Sequence, residues 1–327
     1  MKIFITGGLG SIGAHIVKIL LNQGHEVHAI VRSIAKAKPL AHPMLYLYEG
    51  DLREEQLVLK AMEGCEQMYH LAAFAKVWSK NEEDFFNLNV QLTEDLFHAA
   101  HKSGIKKIVF TSTAGVFGPS LTGIIDEEKS RDLPFFNRYE ATKSQAEDLV
   151  KELIETYKME IVIVSPTRVY GPILLGEVAA ITMMIDKYVN KNWRIYPGTG
   201  KEIGNYIYVE DAAMGHVLAM EKGRSGECYI LGGENLTYIQ FFQAIAACSG
   251  VKRKMIVIPY FIQKLVAHLQ LFMANCFGKE PDIVPNWLAK AKYHWEVSPQ
   301  KAQQELGLPI TPFEDGIKKT VDFLKVK

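Results

Sequence analysis

Cysteine is scarce. Cys65, Cys228, Cys248 and Cys276 are the only four among 327 residues, and no two stand at metal-ligand spacing. That argues against a structural zinc site or a disulfide framework and makes a reducing compartment the default. Excess charge of either sign is missing too, with 37 Lys+Arg against 37 Asp+Glu. A nucleic-acid or anionic-membrane surface would draw on a basic surplus, so neither partner is expected. Long apolar runs are also lacking. Stretches free of Asp, Glu, Lys and Arg include Asn235–Val251, which is broken by Asn, Thr and Gln, and Leu265–Gly278, which is too short to span a bilayer. No leader is expected, since a short apolar run leads straight into Gly7 and Gly8. Repeats and low-complexity tracts are absent. The expectation is a cytoplasmic, enzyme-sized globular chain that takes a small molecule and no metal.

The first half is rhythmic. Short β-branched or apolar runs at Lys2–Thr6, Glu26–Val31, Met44–Glu49, Gln67–Leu71, Lys107–Ser112 and Glu160–Ser165 alternate with helical patterns near Ser11–Asn22, Arg53–Glu63, Glu82–Ser103 and Tyr139–Tyr157. Strand, helix, strand at this spacing predicts an α/β fold: right-handed crossovers and a doubly wound parallel sheet covered on both faces. Past Pro166 the rhythm breaks. Turns at Gly171-Pro172 and Pro197-Gly198-Thr199-Gly200 precede a mainly helical stretch with two short strands, near Tyr206–Val209 and Cys228–Leu231. The expected division is a nucleotide-binding domain over 1–170, to which 206–232 returns, and a smaller substrate lobe from 171–205 and 233–327.

Residues 3–13 read Ile-Phe-Ile-Thr-Gly-Gly-Leu-Gly-Ser-Ile-Gly. The glycines parse as Gly8-x-Gly10-x-x-Gly13 or as Gly7-x-x-Gly10-x-x-Gly13, between a strand and a helix as a dinucleotide fingerprint requires. A pyrophosphate there meets free N–H groups and the positive end of the helix dipole, and Gly13 lets the helix approach the sheet. About twenty residues on, the second strand ends in Val31-Arg32, with Lys36 and Lys38 behind. An acid at that end would accept from the 2′-hydroxyl of NAD, whereas an arginine holds the 2′-phosphate of NADP. NADP(H) is therefore favoured, with NAD(H) possible. Asp51, after the third strand, is placed to accept from the adenine amino group. His70 reads as a packed structural histidine, and Ala72-Ala73 lets backbone approach the cofactor.

Tyr139 and Lys143 stand four apart at the opening of a helix and so share a face. An ammonium at about 5 Å, at an effective dielectric near 20, favours phenolate by roughly 3 kcal/mol, about two pKa units. That would bring the tyrosine into range as a general acid/base. The fifth strand ends in Thr111-Ser112-Thr113 and offers a hydroxyl to the same oxygen, with Thr113 first and Ser112 as fallback.

These motifs, with Gly50-Asp51-Leu52, His70-Leu71-Ala72-Ala73, Pro166-Thr167-Arg168-Val169-Tyr170-Gly171-Pro172 and Tyr208-Val209-Glu210-Asp211 in order, resemble the extended short-chain dehydrogenase/reductases of the epimerase/dehydratase superfamily over essentially the whole chain. The resemblance implies a Rossmann fold and a catalytic triad of Thr113, Tyr139 and Lys143. It further implies a cofactor held by Gly7, Gly10, Ser11, Ile12, Gly13, Arg32, Asp51, Leu52, Leu71, Ala72, Ala73, Tyr139, Lys143, Pro166 and Val169. Where similar dehydratases carry an Asp-Glu pair this chain has Ala114-Gly115, and where epimerases carry a diphosphate-clamping Arg it has Gly204-Asn205. Epimerases also tend to show Asn in place of Arg168, a residue that could hold an anion or pair with a carboxylate.

What remains resembles the dihydroflavonol-4-reductase-like and hydroxysteroid-dehydrogenase-like branch, which also fits Gly232-Gly233-Glu234-Asn235-Leu236-Thr237 and Ala291-Lys292-Tyr293-His294-Trp295. The implied reaction is hydride transfer between NADP(H) and a carbonyl/secondary-alcohol pair on an apolar or polyphenolic molecule. The alternative is an NAD-dependent sugar-nucleotide 4-epimerase using the same triad. Phe74, Val77, Trp78, Phe117, Tyr170 and Ile173 are candidate pocket residues, and the apolar Phe261–Phe277 helix reads as core or subunit interface. The Phe85–Ser103 and Tyr139–Tyr157 helices resemble those that pair across a homodimer.

Overall fold

A computed structural model describes residues 1–326. The apolar runs become strands: β1 (Lys2–Thr6), β2 (Glu26–Val31), β3 (Leu45–Glu49), β4 (Gln67–His70), β5 (Lys107–Thr111) and β6 (Glu160–Pro166). With a later strand, β9 (Cys228–Leu231), they form one seven-stranded sheet in the order β3-β2-β1-β4-β5-β6-β9, each neighbouring pair parallel. Strands buried on both faces need no alternation, and this explains why the runs are almost continuously apolar. One face packs against α1 (Gly13–Asn22) and α7 (Val209–Lys222), in a core that includes Ile5, Val17, Leu20, Val109 and Val217. The other packs against α2 (Glu55–Met62), α4 (Leu92–Lys102) and α5 (Arg138–Tyr157), around Phe4, Phe97, Phe110 and Val150. Strand order reverses between β1 and β4, the crevice where sheets of this kind bind ligands.

The helical stretch expected over 85–103 is interrupted. A short α3 (Glu83–Phe86) opens into a π turn at Asn87–Gln91 before α4 begins. The wide turn carries buried Asn89, whose Nδ2 donates to Thr142 Oγ1 at 3.0 Å, while its Oδ1 accepts from Phe74 N at 2.7 Å. Such turns concentrate where a side chain must reach out of the helical path.

Among the described residues beyond Pro166 there are four strands rather than two. β7 (Arg168–Tyr170), β8 (Ile203–Tyr208) and β10 (Glu234–Thr237) make a separate sheet in the order β10-β8-β7. Residues 206–208 therefore belong to the small sheet, and the return to the large one is made by α7 and β9. Strands of three and four residues are too short to show a period in sequence. Against the small sheet pack α6 (Ala180–Asn190), α8 (Tyr238–Ser249) and α11 (Phe313–Val326), around Tyr170, Tyr188, Tyr206, Phe241, Phe242 and Phe313. Thr237 and Gln240 form a capping box at the start of α8, satisfying two donors reciprocally. The remaining helices are α9 (Tyr260–Phe277) and α10 (Pro285–Lys290). α9 buries only Ala267 and Ala274 and leaves eight large apolar side chains exposed.

Candidate active site

The loop from β1 to α1 is a backbone cradle. Gly7 has φ +69°, the left-handed region, and its carbonyl accepts from Gly10 N at 2.8 Å. A Cβ on Gly13 would collide with that same carbonyl oxygen. No side chain caps the N-terminus of α1, and its first turn holds no acid. The dipole end at Ser11, Ile12 and Gly13 is thus open to an anion, and the residues present fit a dinucleotide. Leu71 and Ala72 abut Gly7, a Cβ there lying 2.9 Å from Ala72 N. His70 is packed as expected. Ala72 N donates to Thr6 Oγ1 (3.1 Å), whose hydroxyl faces His70 Nδ1 (2.7 Å); His70 Nε2 lies 3.1 Å from Thr93 Oγ1, which donates to Asn89 O at 2.8 Å. Because Thr93 gives its hydrogen to the carbonyl, the row of donors assigns the proton to Nε2. Burial, with the Lys143 charge, pushes the imidazole down to about 3.

At the end of β2, Val31 is buried and Arg32 exposed. Asp51 is engaged differently from the expectation. Arg53 grips it bidentately, Nε to Oδ1 and Nη2 to Oδ2, each at 2.8 Å. That pairing holds the carboxyl down at about 2, with Arg32 contributing. Arg53 was not picked out from sequence, since a single arginine in a polar loop gives no signal. Leu52 turns into the core beside α2.

The end of β5 meets the start of α5. Ser112 is buried and donates its hydroxyl to Glu147, and so it is committed. Thr113 Oγ1 accepts from Gly115 N at 3.2 Å, which leaves its hydrogen to donate elsewhere. A Cβ on Gly115 would lie 3.1 Å from Glu140 Cγ and 3.4 Å from Thr113 Oγ1, so Thr113 sits against the turn that carries Tyr139. Lys143 is buried, its Nζ 4.1 Å from the centre of the Phe110 ring. Burial lowers the Lys143 ammonium to about 7, opposed by Glu147. The expected depression of Tyr139 does not appear: burial, assisted by the Glu140 charge, raises the phenol to about 12. Pair arithmetic at fixed dielectric omits the cost of desolvating a phenolate, and here that cost dominates.

Glu140, beside Tyr139, is an unexpected anchor. It is buried and takes Arg131 Nη2 at 3.0 Å and Lys290 Nζ at 2.7 Å. Phe136 N donates to it at 3.2 Å, and Glu140 N donates to the N-cap Asn137 Oδ1 at 2.8 Å. Lys290 comes from α10, so one carboxylate ties the first turn of α5 to the C-terminal lobe. The Asn137-x-x-Glu140 spacing is a cap signature; the distant cations carry none. A cleft of about 330 Å³ opens alongside, lined by Leu133, Pro134, Phe135, Phe136, Asn286, Ala289 and Tyr293.

Of the candidate pocket residues, Tyr170 and Ile173 are buried. Tyr170 packs on Phe313, ring centres 5.0 Å apart, so it belongs to the small-sheet core and is not free to line a pocket. Phe74 packs edge-on against Phe85. Pro166 ends β6, and Val169 lies in β7 between the large and small cores. Arg168 pairs with no carboxylate among the described residues. Its Nη1 donates to Tyr206 Oη and Tyr238 Oη, both at 3.1 Å, and fills the space that a side chain at Gly204 would need. Asn205 is buried and absorbed by the turn at Gly233, donating to its carbonyl at 2.9 Å and accepting from its N–H at 2.8 Å.

The order of the large sheet, with a glycine cradle at its reversal point, meets a family-wide match: the model of the NAD dependent epimerase/dehydratase family fits residues 3–232. The chain belongs to this family. It is an NAD(P)-dependent oxidoreductase of the extended short-chain dehydrogenase/reductase type. The chain is 27% identical over 328 residues to a "Putative dihydroflavonol 4-reductase" of Synechocystis sp., covering 98% of this chain and 94% of that protein. It is 30% identical to the "4-hydroxy-2-methyl-3-oxo-4-farnesyl-3,4-dihydroquinoline-1-oxide ketoreductase" of Stigmatella aurantiaca, across 82% and 79% of the two chains. Among solved structures, the UDP-glucuronic acid 4-epimerase from Bacillus cereus, in complex with UDP-glucuronic acid and NAD, superposes with TM-score 0.80 at 23% identity, covering 100% of this chain and 99% of that one. That likeness is one of fold.

Proposed function

We propose that this enzyme interconverts a carbonyl and a secondary alcohol on a small apolar or polyphenolic molecule and prefers NADP(H). The observation that carries the reading is a half-buried Tyr139 phenol that stays uncharged, with a Thr113 hydroxyl at the end of β5 that still has a hydrogen to give and a cleft lined by Leu133, Phe135 and Phe136 just before α5. The glycine loop and Ala72 would hold the dinucleotide, which when bound would supply or take up the hydride. Thr113 donates a hydrogen bond to the carbonyl oxygen and favours the charge that develops there. Tyr139 gives that oxygen its phenolic proton, and the Lys143 ammonium restores it. Arg32, with Lys36 and Lys38 exposed behind it and Asp51 neutralised by Arg53, leaves a cationic end on β2 suited to a 2′-phosphate. The names of the two relatives, "Putative dihydroflavonol 4-reductase" and a ketoreductase of a farnesyl-dihydroquinoline oxide, are in keeping with such substrates.

Sugar-nucleotide 4-epimerisation is the second reading. Arg168, which pairs with no carboxylate among the described residues, would be its candidate for holding a substrate diphosphate, although epimerases tend to carry Asn there. Fluorescence titration with NADPH and NADH, together with turnover of a carbonyl panel by wild type and Tyr139→Phe, separates the two. The first reading expects tighter NADPH, net consumption of it, and a roughly 10²–10⁴-fold loss in the variant with cofactor affinity nearly intact. Tightly retained NAD with no net consumption would overturn it in favour of the second. Unchanged turnover by the variant would sink both.

A further inference from the structure

The apolar face of α9 has no counterpart among the other described helices. Phe261, Leu265, Leu269 and Phe272 recur at spacings of four, four and three, which puts them on one side of the helix, and they are 71%, 70%, 58% and 63% exposed. Phe277, at the helix end, is 78% exposed. The opposite side holds the buried Ala267 and Ala274. A contiguous apolar surface of this kind marks an interaction site. Its surroundings say which. From Asn235 to Lys279 there is no Asp or Glu, and the stretch carries Lys252, Arg253, Lys254, Lys264 and Lys279. Arg253 is spent on the carbonyls of Tyr188 and Val189. Lys252, Lys254, Lys264 and Lys279 are exposed, and no carboxylate among the described residues pairs with them. Two copies of this face brought together would oppose like charges, whereas an anionic lipid surface complements both the apolar face and the acid-free, basic stretch of chain that carries it.

We propose that α9 docks this enzyme on an anionic membrane, lying in the interface with its apolar face among the acyl chains. No helix of the described residues is long and apolar enough to cross a membrane, and this mode requires none. The helix is held to the protein along its flanks and just past its C-terminal end. Trp78 Nε1 donates to Asn275 Oδ1 at 3.2 Å, Lys76 pairs with Glu280 at 3.2 Å, and Ile283 N donates to Gln270 Oε1 at 3.1 Å. Trp78 and Lys76 belong to the loop that continues from Ala72 and Ala73, so docking brings the edge of the candidate site to the lipid boundary. The whole-chain balance of charge conceals this local surplus.

The test is co-sedimentation of the full chain with vesicles of phosphatidylcholine alone or mixed with phosphatidylglycerol, at low and high salt. It reads no enzyme activity and so stands or falls apart from the redox assignment. Wild type is expected to pellet with the anionic vesicles, to be released by salt, and to bind pure phosphatidylcholine weakly. One basic residue near an anionic surface is worth about fivefold in partitioning. Lys252→Glu with Lys254→Glu, and separately Leu265→Asp with Phe272→Asp, should each weaken binding at least tenfold, with the melting temperature and NADPH titration preserved. Failure of wild type to pellet with anionic vesicles overturns the proposal, and so does equal binding to both vesicle types. Sedimentation velocity covers the remaining occupant: a wild-type dimer that the Leu265→Asp/Phe272→Asp pair dissolves, with vesicle binding intact, assigns the face to a second copy and also overturns it.

Discussion

The carboxyl end of the large sheet and the α9 face of the C-terminal lobe obey opposite rules. At the sheet end, polar groups are buried and partnered: His70 lies in a directed row of donors, Ser112 is bound to Glu147, and Glu140 to two cations. On α9, large apolar groups are left exposed to solvent. The first region is complete once the chain folds, since its constraints come from its own backbone and charges. The second is completed by something outside the chain. Stability therefore resides in one place and adaptability in the other, and substitutions should sort accordingly.

The widest separation is expected in stability. Phe241, fully buried in the small-sheet core, should cost about 3–5 kcal/mol when changed to Ala. Leu269→Gln on α9 should stay within about 0.5 kcal/mol. Denaturant melts of the two variants check this, and a large loss at Leu269 would break the contrast. Next comes the choice of hydroxyl. Thr113→Val should lower kcat by about 10²–10³-fold, the size of losing one donor to a developing oxyanion, whereas Thr113→Ser keeps most of it and Ser112→Ala changes it only a few-fold. Steady-state kinetics in which Ser112→Ala is the severe variant would reverse the assignment of roles. The smallest effect is in pH. Burial lowers the Lys143 ammonium to about 7, so the charged form is present below that pH and is lost above it. Carbonyl reduction should fall as pH rises through about 7, about tenfold per unit at most. Stability runs the other way: the unfolded chain keeps this lysine protonated to about 10.4, so between those values the native state gains as pH rises. Rate and melting profiles over pH 6–9 that move together would contradict the assignment to Lys143.

Legibility followed the range of the constraint. β1 to β6 and the glycine loop were readable because each depends on a few adjacent residues: Gly13 must be glycine to clear Gly7, and an apolar run of five can only be a buried strand here. Partnerships across the chain were not readable. Lys290 stands 150 residues from Glu140, and Arg168 gains its meaning from the space left by Gly204. The sign of the Tyr139 shift was missed for the same reason, because burial is a property of everything around the ring. β7 and β10 were too short to announce themselves, and the small sheet they form took residues 206–208 away from the large one.

The acid-free stretch of chain that carries α9 has an electrical consequence. Outside residues 235–279, the 37 acidic residues face only 32 basic ones. A molecule with no net charge thus carries an uneven distribution of charge, able to align in a field that exerts no net pull on it. A cation exchanger should retain it by that one pole at the pH where its total charge vanishes, and an oppositely charged surface should meet it helix-first.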